Sequence, residues 1–380
     1  MAGLNNEWVV SAAAAAAGRV QSELGSLVAV SSPSGDRGGA EKVVAVAAEM
    51  LPDSAAVERP ACSSADHAPD LLARLAGSGD GRVLLLGHLD TVVSHAEHRA
   101  LERDGERLVG SGSIDMKGGV AISLAVLRAL VDEPDAFSEL ALLLVNDEEW
   151  RTGGFAHGPE FAGWDACLCF EAGEVGPAGE DAVVVGRKAA GTLRVRTSGR
   201  AAHSGANPSD GKSALMPLAD TARQIAALND PDGPARLSAT PTVIHSGFAF
   251  NVVPAAGELI CDLRADELAA FDPVLAAVGA GEDGVRIDAE LVRRWPGMDT
   301  RVVASPLLER TGALLGRPVL ASERGGASDA SHMAEHVELT VDGLGPLGAE
   351  AHAPGEHVLS DSLLRRTELA LAMTAAALQT

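Results

Sequence analysis

The chain has 380 residues, of which 46% are hydrophobic and 22% are charged, a composition typical of a folded globular protein rather than a disordered one. Its length exceeds what a single hydrophobic core usually serves, which predicts two domains. Acidic residues outnumber basic residues by 53 to 30, and a formal charge of -23 would repel nucleic acid and anionic membrane surfaces. We therefore expect neither as a partner.

An alanine-rich segment near the N-terminus, residues 11–17, is predicted to be helical and not a signal peptide, because no basic segment precedes it. No apolar stretch of the sequence reaches the length of a transmembrane helix. The spacing of the four cysteines is not that of a disulfide framework, so we expect reduced thiols at Cys62, Cys167, Cys169 and Cys261. Together these features predict a cytoplasmic protein.

Three short apolar runs, residues 83–86, 140–145 and 166–170, are predicted to be strands buried on both faces. A helix is expected to begin at Gly118-Gly119, between the first two runs. Polar residues follow each run, and open α/β sheets build their sites at the carboxyl ends of their strands. The sequence therefore predicts a site to which these ends contribute His88 and Asp90, then Asp147, Glu148 and Glu149, then Glu171.

The pattern changes near residue 187. Residues 193–197 alternate as a half-exposed strand does, and the segments that follow predict the order strand, helix, strand, strand, helix, strand. From about residue 300 the sequence again predicts helices alternating with buried strands, as it does before residue 187. We therefore predict a three-layer α/β catalytic domain with a mixed, mostly parallel sheet, formed by residues 1–187 and 300–380. Residues 188–299 are predicted to form an inserted ferredoxin-like α+β domain.

His88 and Asp90 are two residues apart at a strand end, so both side chains point to the same side. One can bind a metal while the other orients it, although such a pair alone is more often a surface or capping feature. The glycine-rich segment 110–119 presents Asp115 just before the predicted helix. This carboxylate either bridges two cations or simply caps the helix.

Glu148 and Glu149 are adjacent carboxylates that repel each other unless a cation or a proton intervenes. One metal ligand and one general base would satisfy both, and a solvated acidic turn is the alternative. With Glu171 and His352, the candidates are two histidines and three carboxylates, a set that suits zinc, with Co²⁺ or Mn²⁺ as possible substitutes. Paired ions of this kind activate water and polarise a carbonyl together.

The same motifs resemble a known family. In order along nearly the whole chain, residues 87–92, 112–119, 147–149, 171 and 345–352 are similar to segments of one di-zinc family. That family comprises aminoacylases, bacterial glutamate carboxypeptidases of the carboxypeptidase G type, acetylornithine deacetylases and succinyl-diaminopimelate desuccinylases.

The resemblance implies two Zn²⁺ per subunit, bridged by Asp115. It implies that His88 and Glu171 complete one metal site and that Glu149 and His352 complete the other. It also implies that Glu148 is the general base and that Asp90 orients His88.

In the inserted domain, residues 198–205 resemble the histidine-bearing turn of the family, which implies that His203 reaches across a homodimer interface to the oxyanion in the neighbouring site. Asn251 and Arg264 match residues that bind the substrate carboxylate, although from the residue alone Arg264 would be a surface charge on a strand. The segment 325–329 resembles one that contacts substrate, through backbone amides at Gly326 and through Ser328.

Trp150-Arg151 depart from the family pattern, which has smaller residues here, and they are expected to reshape the leaving-group pocket. The resemblance implies a glutamate carboxypeptidase-like exopeptidase that cleaves an amide bond beside a substrate carboxylate, in a short peptide or an N-acyl amino acid. An N-acyl amino acid deacylase is the nearest alternative. The first is favoured because residues 91–109 lack the tryptophan often found there in deacetylases.

A third hypothesis is a non-catalytic module that binds an amino acid or peptide. Such a protein would be expected to have lost a ligand or the base, whereas all six positions here carry competent residues.

Overall fold

A computed structural model describes residues 3–281 and 283–379. The chain forms two compact units. Unit 1 comprises Met1–Gly186, Asp299–Glu323 and Ser328–Thr380, and unit 2 comprises Arg187–Met298 and Arg324–Ala327. Among the described residues, no helix combines the length and the apolar character that crossing a membrane would require.

In chain order the helices are α1 (Asn6–Val28), α2 (Arg37–Glu49), α3 (Gly118–Ala129), α4 (Leu215–Ala226), α5 (Asp272–Ala276), α6 (Arg301–Leu315), α7 (Asp329–Met333) and α8 (Ser362–Ala377). The first nine strands are β1 (Ala56–Glu58), β2 (Leu71–Ala76), β3 (Arg82–His88), β4 (Glu102–Asp104), β5 (Arg107–Val109), β6 (Glu139–Val145), β7 (Ala166–Cys169), β8 (Glu174–Val175) and β9 (Asp181–Arg187). The others are β10 (Ala189–Ser198), β11 (Ser238–Ser246), β12 (Ala256–Ala265), β13 (Arg286–Trp295), β14 (Met298–Asp299), β15 (Val319–Arg324), β16 (Thr340–Val341), β17 (Gly348–Ala349) and β18 (His357–Leu359).

The main sheet of unit 1 has the strand order β1-β2-β6-β3-β7-β16. Its central strands β6, β3, β7 and β16 are parallel, and β2 and β1 extend it antiparallel. Residues Val83 to Leu86 of β3 are completely buried, as the continuous apolar run predicts. The mixed α/β class with a largely parallel central sheet is thus confirmed.

Helices α1, α3 and α8 pack against one another beside this sheet, and α3 also contacts β3 and β6. α3 is buried along its length from Gly118 to Leu127, which is why its sequence is apolar on every face. Two smaller sheets complete this part of the chain, with the strand orders β14-β9-β15 and β17-β18-β5-β4. The four cysteines are all free thiols, as expected.

Unit 2 contains a four-stranded antiparallel sheet of order β11-β12-β10-β13 with helices α4 and α5. The alternation predicted for residues 193–197 is present in β10, where Leu193 and Val195 join the core of this unit. The second helix predicted for this domain is not one continuous α-helix. It is a 3-10 turn, Leu268–Phe271, followed by the short α5, because Pro273 in the first turn of α5 favours a new helix start.

Candidate metal centre

Three neighbouring strands deliver polar residues to one edge of the main sheet. His88 is the last residue of β3 and is in register with Val145, the last residue of β6. On the other side of β3, Leu86 is in register with Cys169 at the end of β7, two residues before Glu171. Parallel pairing therefore brings the three polar strand ends together, as the sequence predicts.

Asp115 lies in a π-helical turn, Ser113–Lys117, immediately before α3. The turn follows Gly112, whose φ of 72° favours glycine and whose added Cβ would lie 2.6 Å from Thr91 Cγ2. Asp115 has extended backbone angles, φ -123° and ψ 92°, and its peptide bond to Met116 is cis. The N-cap residue of α3 is Lys117, whose side chain makes no capping hydrogen bond, so the alternative that Asp115 merely caps the helix is wrong.

Glu356 shapes the turn that carries Asp115. Its carboxylate accepts hydrogen bonds from the backbone N–H groups of Gly112 at 2.8 Å, Ile114 at 3.1 Å and Asp115 at 3.1 Å. Glu356 is 3% exposed, and burial raises its pKa to about 6. Sequence reasoning missed this residue, whose partners lie more than 240 positions away along the chain.

The two oxygens of Asp115 face two different histidines. His88 Nε2 lies 3.0 Å from Asp115 Oδ1 and 3.7 Å from Glu171 Oε1. His352 Nε2 lies 3.0 Å from Asp115 Oδ2 and 3.2 Å from Glu149 Oε1. Asp115 thus contacts both histidines, and each histidine lies beside one of the two glutamates. The cluster divides into two sets, one containing His88 and Glu171 and the other containing His352 and Glu149.

The donor set fits a divalent cation. Ligand atoms of His88, Asp115 and Glu149 all lie within 4.8 Å of one another, and the cluster combines imidazole nitrogens with carboxylate oxygens. His352 has a positive φ of 65°, a conformation that costs energy in a residue other than glycine and that concentrates at functional sites. These residues can hold a metal ion.

Asp90 connects His88 to the segment that follows β6. Its Oδ1 and Oδ2 accept the backbone N–H groups of Glu148 at 3.2 Å and Glu149 at 3.1 Å. Asp90 Oδ1 also lies 3.4 Å from His88 Nδ1, and the backbone oxygen of Asp90 lies 3.1 Å from the same nitrogen. One buried carboxylate thus orients the histidine and positions both glutamates.

Burial and mutual charge perturb the acids and bases of the cluster. Burial raises the pKa of Glu148 well above its usual range, and it also raises the pKa of Glu149. Burial alone would raise the pKa of Asp115, but hydrogen bonds with His352 and His88 hold it well below its ordinary value. Hydrogen bonds with Asp115 and Glu149 raise the pKa of His352 to about 10. The carboxylates therefore attract positive charge into the cluster.

Trp150 and Arg151 differ in how far their side chains are exposed. Trp150 is 55% exposed, whereas the Arg151 side chain is only 2% exposed and pairs with the carboxylates of Asp147 and Asp329. The guanidinium of Arg151 is thus enclosed between two acids, and the expectation that the two residues reshape the leaving-group pocket stays a prediction.

Ser328 is completely buried in unit 1. Its hydroxyl donates to Asp342 Oδ2 at 2.7 Å and accepts the N–H of Ala330 at 3.2 Å, which caps α7. The structure thus gives Ser328 a structural role, and the substrate contact that the resemblance implies stays a prediction. Gly326 is exposed in unit 2, where its carbonyl accepts a hydrogen bond from Arg187 at 2.8 Å.

His203 and Asn251 lie together at one end of unit 2. The N–H of Ser204 donates to the carbonyl of Asn251 at 3.0 Å, and His203 pairs with Val252 in an isolated bridge. The exposed ring of His203 accepts the N–H groups of Gly205 and Ala206 at Nδ1, at 3.2 and 3.1 Å. In the neutral ring Nε2 then carries the hydrogen and is a donor.

Arg264 lies at the opposite end of β12 from Asn251. Asn251 lies five residues before Ala256, the first residue of the strand, and Arg264 lies eight residues after Ala256, roughly 25 Å along an extended chain. The guanidinium of Arg264 pairs with Asp262 on the same strand, at 3.1 Å from each carboxylate oxygen. Within one unit 2, Arg264 and Asn251 therefore do not approach the same small molecule.

The chain is similar to several known proteins in sequence and in fold. The chain is 25% identical to carboxypeptidase G2 of Pseudomonas sp. (strain RS-16) over 319 residues, which cover 79% of this chain and 75% of the relative. It is 30% identical to succinyl-diaminopimelate desuccinylase of Halorhodospira halophila over 304 residues, which cover 72% and 77%. The fold is similar to that of aminopeptidase PepT from Bacillus cereus, with a TM-score of 0.75 at 21% identity, over 94% of this chain and 98% of that one.

The family itself is matched over most of the chain. Residues 84–376 match the family described as Peptidase family M20/M25/M40. The resemblance stated from the motifs is confirmed, and with it the prediction of a metal-dependent hydrolase that acts on amide bonds. This chain belongs to Peptidase family M20/M25/M40.

Proposed function

We propose that this chain is a di-zinc exopeptidase of the glutamate carboxypeptidase type, which hydrolyses an amide bond beside a substrate carboxylate. In this proposal His88, Asp115 and Glu171 hold one ion, and His352, Asp115 and Glu149 hold the other. The observation that carries it is the shared Asp115 carboxylate, with one oxygen 3.0 Å from each histidine. Zinc suits this mixture of imidazole and carboxylate, and Co²⁺ or Mn²⁺ would be substitutes.

Two such ions would polarise the scissile carbonyl and make a water more acidic. Glu148 takes the proton from the attacking water and returns it to the leaving nitrogen. Glu148 is 8% exposed, so little bulk water reaches the proton that it holds between these two steps. Asp90 keeps the backbone of Glu148 and the ring of His88 in place.

His203 supplies a hydrogen bond to the developing oxyanion from the partner subunit. Its Nδ1 accepts two backbone N–H groups, so Nε2 is the donor directed away from its own turn. Asn251 accompanies His203, whereas Arg264 lies at the far end of β12. In this proposal the substrate carboxylate contacts Asn251 from one subunit and Arg264 from the other, together with the backbone of Gly326.

Unit 2 provides the surface for a homodimer and serves as the lid. β11 is an edge strand of the sheet, and its Val243 and Ile244 are 41% and 47% exposed. Phe248 and Phe250, which follow β11, are 94% and 100% exposed. An edge strand with exposed apolar side chains is a favourable surface for self-association, and a twofold pairing would cover it on both subunits. The free thiols agree with a cytoplasmic location, which belongs to the same proposal.

The proposed substrate class has one specific alternative. The similarity to succinyl-diaminopimelate desuccinylase favours an N-acyl amino acid deacylase as the second candidate, with the same metals and the same base. Rates of hydrolysis of peptides and acyl derivatives that carry a free carboxylate beside the scissile amide distinguish the two activities. A carboxypeptidase releases the C-terminal amino acid from acyl groups of many sizes, whereas a deacylase requires a small acid such as acetate or succinate.

The test is a panel of N-acyl amino acids, N-succinyl amines and dipeptides, hydrolysed by the wild type and by Glu148→Gln. We expect the variant to retain about two zinc equivalents and to lose roughly 10³-fold or more in kcat, because the amide of glutamine cannot accept the proton. Metal analysis and initial rates check both statements. Undiminished hydrolysis by Glu148→Gln, or a wild-type protein that binds no zinc, would refute the proposal.

A further inference from the structure

Arg151 forms a buried ion-pair group that the reaction scheme above does not use. Its Nη2 lies 2.8 Å from Asp147 Oδ1 and 2.9 Å from Asp329 Oδ2, and Nε lies 3.2 Å from Asp147 Oδ1. A further hydrogen bond joins Nη1 to Asp329 Oδ1. The side chains of Arg151, Asp147 and Asp329 are 2%, 0% and 4% exposed. This is therefore an enclosed group of charges and not a surface salt bridge.

The burial of each of these charges is tolerated only because the opposite charges are buried beside it. An isolated charge is costly to bury, and removing one member of a buried group leaves the rest uncompensated. The two carboxylates hold the pKa of Arg151 well above its usual value although burial opposes this. Without the guanidinium, Asp147 and Asp329 would be two enclosed acids near Glu148, whose own pKa the charge of Asp329 already raises in addition to burial.

The group joins the segment that carries the base to two other parts of unit 1. Asp147 directly precedes Glu148, and its second oxygen accepts the N–H of Ser64 at 2.8 Å. Asp329 is the first residue of α7. The guanidinium also lies over the ring of Phe155, 4.8 Å from its centroid, and Phe155 stacks on His332 of α7 at 5.6 Å.

We propose that Arg151 is a positioning residue, which fixes the segment 147–151 against the start of α7 and thereby sets the location of the Glu148 carboxylate. Asp90 holds the same segment from the other side, through the N–H groups of Glu148 and Glu149. Arg151 acts through Glu148, because its own side chain is enclosed. This inference rests on the proposed function, in which Glu148 is the base.

The first part of the test compares Arg151→Met and Arg151→Lys with the wild type. In Arg151→Met we expect kcat to fall by about 10²-fold while KM stays within about twofold, because a displaced base affects the transition state more than substrate binding. With zinc in excess, the zinc content should stay near two equivalents because all five ligand residues remain, although Glu149 lies in the loosened segment. Arg151→Lys keeps the charge but cannot contact both carboxylates with a planar group, so its kcat should be intermediate.

Arg317→Met is the matched control. Arg317 also bridges two carboxylates within unit 1, at 2.7 Å from Asp181 Oδ2 and 2.9 Å from Glu368 Oε2, on segments outside the metal centre. We expect this variant to lower the melting temperature and to leave kcat unchanged. An equal loss of kcat in Arg317→Met and Arg151→Met would overturn the proposal, because both losses would then reflect general stability.

Hydrogen exchange supplies a readout that is independent of turnover. Amides of residues 147–151 should exchange about tenfold faster in Arg151→Met than in the wild type, and those of β12 should be unaffected. If the wild type hydrolyses nothing on the panel, the proposed function fails, and the exchange data still decide whether Arg151 fixes the segment 147–151 against α7. Faster exchange confined to residues 147–156 and 329–333 supports it. Unchanged exchange, or unchanged kcat in an active enzyme, overturns it.

Discussion

Glu356 holds the turn that presents Asp115, with three backbone N–H groups donating to one carboxylate. In Glu356→Gln the charge is lost and the amide NH₂ opposes at least one of these donors, so the turn should loosen. Groups that orient metal ligands typically contribute 10- to 100-fold to metal affinity, and we expect a loss of about that size. Competition with a chromophoric chelator measures it. Glu338→Gln, at an exposed glutamate, is the control, and equal affinities in the two variants would contradict the prediction.

His332 predicts a pH dependence of stability. Burial lowers its pKa from 6.5 to about 4, so the unfolded chain takes up the proton at a higher pH than the folded chain does. Stability should therefore fall as the pH decreases from about 6.5 to about 4 and should not fall further below that range on account of this residue. The contribution is on the order of 3 kcal/mol at most.

His332→Phe removes this titration and retains a ring to stack on Phe155. With metal removed from both proteins, urea unfolding at pH 7 and pH 4.5 should show a smaller loss of stability in the variant than in the wild type. The carboxylates titrate in both proteins, so the difference between them isolates the histidine. Identical losses in the two proteins would show that His332 does not carry this dependence.

At the scale of elements, the continuous apolar runs of β3, β6 and β7 predict the centre of the main sheet, because strands buried on both faces require apolar residues throughout. From these runs alone, the polar residues that follow could be expected at one edge. The alternation in β10 similarly predicts a sheet with one exposed face.

Other parts of the site depend on contacts that no local pattern encodes. Glu356 bonds to a turn more than 240 residues earlier, and Arg151 pairs with Asp329 178 residues later. Periodicity reports which face of an element is buried, but it does not report which distant segment provides the partner. The burial of Ser328 under Asp342 could not be read from the sequence for the same reason.

At the scale of the whole molecule, the candidate site residues are divided between the two units. Unit 1 contains the candidate metal centre, and unit 2 contains His203, Asn251 and Arg264. Because β12 separates Asn251 from Arg264 by roughly 25 Å, one unit 2 cannot bring both to the same small substrate. A homodimer can, if each site uses residues from both subunits.

This arrangement predicts complementation between two inactive subunits. We expect His203→Ala to keep its zinc and lose activity, and Glu148→Gln to be inactive as well. In a heterodimer of these two variants, the site with intact Glu148 receives His203 from its partner, so about half of the wild-type activity should return. Purification with two different affinity tags isolates the heterodimer for rate measurements.

A heterodimer that carries both substitutions in the same subunit is the matched control. A heterodimer of wild type with the double variant Glu148→Gln/His203→Ala should be nearly inactive, because its one intact base faces a subunit without His203. If His203 acted within its own subunit, the results would be exchanged: the control would have about half of the activity and the first heterodimer would have none. The two rates together therefore decide whether the oxyanion contact comes from the neighbouring subunit.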